Sequence, residues 1–175
     1  MKKHVALSLL ALTVWGVTAS HLAVEERDGS DLLLVDGVAV DVRGQISAAW
    51  NQATRQCDAV AQNRDLTGDS SAIAVRNRIS EFSPPDSQRL KLRQLSSSGP
   101  WFLAEVEFVE LQPVVILLAQ KETTLEIHPQ AIWSGITQPW VAGPWIRRYL
   151  RQRAPQVPPA LWDCFDPSPG LFEGR

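Results

Sequence analysis

The sequence predicts an α+β domain: two N-terminal helices packed on a three- to four-stranded antiparallel meander, followed by a Trp/Pro-rich C-terminal tail with a short helix. Three observations lead there. Apolar residues recur at helical steps over 41–61 and 69–82. The spacing then switches to period two over 89–108, as a half-buried strand pair requires. Within 129–169 the chain holds four tryptophans, its only tyrosine and eight prolines, which suits an irregular cover better than regular elements.

Ahead of the domain, Met1-Lys2-Lys3-His4 precedes an unbroken apolar run over 5–19, closed by the small residues Val17-Thr18-Ala19-Ser20. This is the layout of a secretory signal peptide with a cut after Ala19. The run is fifteen residues long, short of the roughly 20 that span a hydrocarbon core as a helix. Periplasmic or secreted localisation of a bacterial protein is therefore expected. An uncleaved, inner-membrane-anchored subunit of an envelope complex is the alternative. Cleavage removes Lys2 and Lys3, taking the formal charge from −2 to about −4. So acidic a chain is a poor nucleic-acid binder.

Export also bears on Cys57 and Cys164, the only cysteines. Outside the reducing cytosol they are expected to form one disulfide, pinning the tail to an early helix. With 45% hydrophobic and 21% charged residues, the chain falls in the globular range, so burial must do most of the stabilising.

The segments follow in order. Residues 20–40 read as a polar leader, then a short strand and turn at Asp36-Gly37. A single domain is expected over 41–169, with a flexible end at 170–175. Its first helix, from Asp41 to about Ala61, stacks Ile46, Trp50, Ala53, Cys57 and Val60 on one face. The second, capped by Asp69 or Ser70, places Ala72, Val75, Ile79 and Phe82 together and stops at Ser83-Pro84-Pro85. A hairpin folded about Ser98 pairs Arg89 with Glu107, Lys91 with Glu105, Leu90 with Val106 and Leu92 with Ala104. Reversal about Gln112 then sets Phe108 against Ile116 and Val106 against Leu118. That leaves Val115 and Leu117 on the charged side, where something must cover them. A short strand, 125–128, ends the meander. In the tail, Pro144 starts a helix with Ile146, Tyr149 and Leu150 inward and Arg147, Arg148, Arg151 and Arg153 outward.

Chemistry is sparse. Glu105 and Glu107 share a strand face about 7 Å apart, a separation that two carboxylates of an inverting glycosidase could use. Yet the expected cationic partners lower a pKa that a general acid needs raised. His128 and Ser134 lack a G-x-S-x-G elbow. No H-E-x-x-H or C-x-x-C is present, and neither a metal nor another cofactor is expected. No catalytic residue is assigned. The expected function is a non-catalytic binding, inhibitor or accessory module of the cell envelope, with a cell-wall or polysaccharide hydrolase as the alternative class. The expected partner is an envelope protein or glycan, with peripheral membrane contact open and the oligomeric state unspecified. The candidate surface combines Trp133, Trp140 and Trp145 with Arg147, Arg148 and Arg151.

Overall fold

The structure, a computed structural model, describes residues 21–84 and 89–174. The expected signal peptide and Pro85 lie outside the described residues. Cα packing divides the chain into two units, Met1–Ile46 and Ser47–Arg175.

The first unit is a three-stranded antiparallel sheet, β1 (Leu22–Arg27), β2 (Ser30–Val35) and β3 (Val38–Val40). Two-residue turns make it. Asp36 and Gly37 at φ 52° and 81° join β2 to β3, as the sequence predicts. Asp28 and Gly29 at 51° and 68° join β1 to β2 in the same way. Asp tolerates the left-handed region and Gly enters it freely, so both pairs form the primed turns that suit strand twist. The polar stretch expected to be a leader is thus a strand and its turn. Leu32 is fully buried, whereas Val24 and Val38 on the opposite face are 72% and 65% exposed.

Helix α1 (Val42–Thr54) continues from the first unit into the second. Asp41 caps it, its Oδ1 accepting from Gly44 N at 2.7 Å. The helix ends at Thr54, not near Ala61, so Cys57 sits in the loop beyond it. Ile46 and Trp50 are 66% and 72% exposed. Apolar spacing puts them on one face of α1, but that face does not enter a core.

The second unit is built on a five-stranded antiparallel sheet in the order β4 (Ala61–Asn63), β5 (Leu90–Ser98), β6 (Trp101–Phe108), β7 (Val114–Lys121), β8 (Thr124–Ser134). Helix α2 (Ser70–Phe82) packs on one side through Ala72, Val75 and Ile79, against Leu92, Leu95, Ala104, Val106, Phe108, Val114, Ile116 and Leu118. Asp69 caps α2 as expected, accepting from Ser71 N and Ala72 N at 2.8 and 3.3 Å. The Asn63 amide and the Ala72 N–H hold its carboxyl below the ordinary value. Phe82, expected inward, is 54% exposed.

The other side of the sheet is covered by helix α3 (Ala142–Arg153), helix α4 (Pro159–Asp163) and the tail. Leu103, Val115 and Leu117 meet Ile146, Leu150, Leu161, Trp162, Phe165 and Phe172 there. This is the cover that the doubly apolar β7 demands.

The expected architecture therefore needs correction. The described residues form four helices and eight strands in two antiparallel sheets of three and five, not two N-terminal helices on a single meander. The leader pairs into its own sheet, β4 extends the main one, α1 keeps its apolar face exposed, and C-terminal helices supply the second layer. The chain remains α+β.

Register is corrected too. The β5–β6 turn is Gly99-Pro100, with Gly99 at φ 57°, and a bulge at Arg93 adds a residue to β5. Lys91 therefore faces Glu107, Leu92 faces Val106, and Gln94 faces Glu105. Likewise β7 pairs Val114 with Val106 and Val115 with Glu105, because the β6–β7 reversal centres on Glu110, not Gln112. Strand β8 does not stop at His128; pairing lapses around Pro129, which has no N–H to donate, and resumes to Ser134.

Candidate functional site

Helix α3 has a sequence without lysine or acid, AGPWIRRYLRQR, and its last turn carries Arg151 and Arg153, where cations complement the helix dipole. Ala142, Gly143, Ile146 and Leu150 are buried, and Arg147 with them. The 3.6-residue repeat then turns Trp145, Arg148, Tyr149, Gln152 and Arg153 toward the other side.

Two arginine–aromatic stacks line that outer ridge. Trp145 lies parallel to Trp140, ring centroids 4.6 Å apart, and carries the Arg148 guanidinium 4.3 Å from its ring centre. One helical turn on, the Arg153 guanidinium sits 3.6 Å over Tyr149, whose ring meets Trp133 edge-on at 4.9 Å. A guanidinium held over an aromatic face gains roughly 0.5–1 kcal/mol at an exposed site and loses rotamer freedom. Its N–H groups stay directed outward in the plane.

Each residue of the sequence-derived surface can now be placed. Arg148 and Arg151 are exposed, and Arg151 pairs with Asp163 at 2.6 Å. Trp145 and Trp133 are partly buried and Trp140 is buried, so the tryptophans form a floor, not a set of open platforms. Arg147, expected outward, is 7% exposed and donates through Nη1 to the Phe165 carbonyl at 2.9 Å. Burial lowers its pKa, opposed by Asp166 and Asp163. Its role is to hold the tail against α3. Tyr149 and Arg153 complete the ridge although the sequence-derived surface omitted them. The i, i+4 spacing of Tyr149 and Arg153 was the available signal.

The two acidic residues of β6 part company. Glu107 remains near solvent, paired with Arg93 at 2.8 Å. Glu105 is fully buried beneath the tail, accepting from Ser168 N at 3.0 and 3.2 Å. Opposite it lies Gln94, also buried, whose Oε1 has no hydrogen-bond donor. Loss of water around Glu105 raises its pKa, opposed by Ser168 and by the charges of Arg64 and Arg93. A raised pKa suits a general acid, but this carboxyl is sealed. The open groove at the end of the β5–β6 hairpin is lined by Arg89, Leu90, Lys91, Glu107, Phe108 and Val109, and takes in neither Glu105 nor His128.

No family model, curated protein or solved structure matches this chain. Its chemistry must therefore be read from its own residues. Among the described residues, no group of three or more His, Cys, Asp or Glu side chains is placed to hold a metal. No helix among them is long and apolar enough to cross a membrane. His128 and Ser134 fall on separate parts of β8, with His128 Nε2 3.2 Å from the Gln156 amide nitrogen. Cys57 and Cys164 are bridged, which fits an oxidising compartment.

Glu105 sets a pH dependence with a definite sign. Its pKa is higher folded than unfolded, so the folded state binds this proton more tightly. The stabilisation is complete at low pH and is lost as pH rises through the folded pKa. Glu105→Gln keeps the shape and an acceptor for Ser168 N but carries no charge to desolvate. At pH 8 the variant should match or exceed the wild type, by up to about 1 kcal/mol, with the difference shrinking toward pH 5. Urea titrations at both pH values measure it. A variant clearly less stable at pH 8 would show that Arg64 and Arg93 outweigh desolvation.

Proposed function

We propose that this chain is an exported, non-catalytic binding or accessory module of the bacterial cell envelope, and that it docks on its partner through the outer ridge of α3. The observation that carries this reading is the pair of stacks, Arg148 on Trp145 and Arg153 on Tyr149. Trp, Tyr and Arg are the side chains enriched at the energetic centres of protein interfaces, where lysine and acidic residues are depleted. The ridge has that composition on a helix anchored to the core by Ile146 and Leu150. Anchoring lowers the entropy cost of binding, because the groups that meet the partner are already ordered. The disulfide and the N-terminal pattern support export.

A photo-crosslinking residue at the exposed Gln152, expressed in the native compartment, tests the ridge. The wild-type background should give a discrete crosslinked species. Arg148→Ala with Arg153→Ala should abolish it while leaving the thermal transition nearly unchanged, since both side chains are exposed. An unaltered crosslink would remove the ridge from the docking surface. Mass spectrometry of the native N-terminus decides the export half. A chain beginning at Ser20 supports it; persistence of Met1 would put the membrane-tethered alternative in its place.

A further inference from the structure

The way the ridge is assembled limits what it can hold. Trp145 is stacked on Trp140 and capped by Arg148, and Tyr149 is capped by Arg153. A sugar ring would have to displace a guanidinium to reach either aromatic face. Anionic bilayers call for clusters of four to eight basic residues beside the membrane surface. The ridge offers fewer, on a chain whose net charge is −2 even before any cleavage. What the ridge presents is planar fork donors. Such forks match carboxylates in a bidentate geometry that an ammonium cannot reproduce. Arg151 already makes this kind of contact with Asp163 at 2.6 Å on the neighbouring helix α4.

We infer that the partner of α3 is an acidic polypeptide segment, with carboxylates on two successive turns of a helix or along an extended strand that meet Arg148 and Arg153. This rests on the reading of the ridge as the docking surface and adds its chemistry. Recognition is electrostatic and directional. It weakens with ionic strength, because both cations lie at the surface. It also favours arginine over lysine at both positions.

The test uses the full chain and a fluorescently labelled glutamate-rich peptide, with a lysine-rich peptide of equal length as control. Heparin and vesicles of phosphatidylglycerol with phosphatidylcholine serve as competing anionic surfaces. Anisotropy should show binding of the acidic peptide that falls as salt rises. Arg148→Ala with Arg153→Ala should weaken it about tenfold or more, and Arg148→Lys with Arg153→Lys by several-fold, as loss of bidentate pairing requires. Equal affinity of the lysine double variant would overturn the proposal. So would tighter binding of the wild type to heparin or to the vesicles than to the peptide. Should the alanine variant lose its native crosslink while no form of the protein binds the peptide, the acidic-partner proposal falls and the docking reading stands. A crosslink that survives the alanine substitutions removes the docking reading itself.

Discussion

Trp162→Ala is expected to cost about 3–5 kcal/mol, the range for deleting a buried aromatic side chain from a packed core. Trp162 is 1% exposed and belongs to the cluster formed by β6, β7, α3 and the tail. Helix α4 has only five residues, too few to persist by its own hydrogen bonds. It is held by Leu161 and Trp162, both buried. Emptying the Trp162 site should therefore release α4 as well as leave a cavity. Since a domain has roughly 5–15 kcal/mol in total, the variant should be strongly destabilised in urea. Trp162→Phe separates packing from polarity. The indole Nε1 finds no hydrogen-bond partner, so phenylalanine gives up ring volume but no bond, and should lose much less. Equal losses for Ala and Phe would contradict this account and point to an unseen polar contact at Nε1.

That core was only half legible in the sequence. Helical spacing located α2, and Asp69 caps it where side-chain chemistry says it should. Period two located β5 and β6, because alternation survives any sliding of one strand past the other. Register did not follow, since it depends on a bulge at Arg93 that no local pattern announces. The error moved Glu105 from a position opposite Lys91 to one opposite Gln94, and so from surface ion pair to buried acid. The first sheet was missed for a plainer reason. Asp28-Gly29 has the same turn chemistry as Asp36-Gly37, but flanking charges masked the strand before it. Spacing also misled at α1: Ile46 and Trp50 share a face, yet amphipathicity says which residues travel together, not whether anything covers them. In the tail, composition announced a cover but not its order. Only packing decides that Arg147 turns in while Arg148, one residue on, stays out.

Breaking the Cys57–Cys164 bridge should have the other large effect. The two cysteines are 107 residues apart, and joining them constrains most of the unfolded chain. The chain-entropy model sets this at about 4.7 kcal/mol for a loop of roughly 100 residues. In a domain of this size 1 kcal/mol moves the melting temperature by about 2–4 °C, so Cys57→Ala with Cys164→Ala should melt about 10 °C or more below the wild type. The same shift should appear in unsubstituted protein scanned with a reductant. The damage should also have a direction. Cys164 follows α4 directly, and the residues after it carry Phe165 into the core, Ser168 over Glu105 and Phe172 under the Thr137 N–H. Amide exchange should therefore rise first in 159–174, while α2 and the β5–β6 hairpin, on the opposite side or remote from the bridge, stay protected longer. Loss of protection spread evenly over the second unit would mean that the bridge acts on the whole fold at once. A melting temperature within about 2 °C of the wild type would mean the tail is held by packing alone, and the link between this fold and an oxidising compartment would lose its energetic basis.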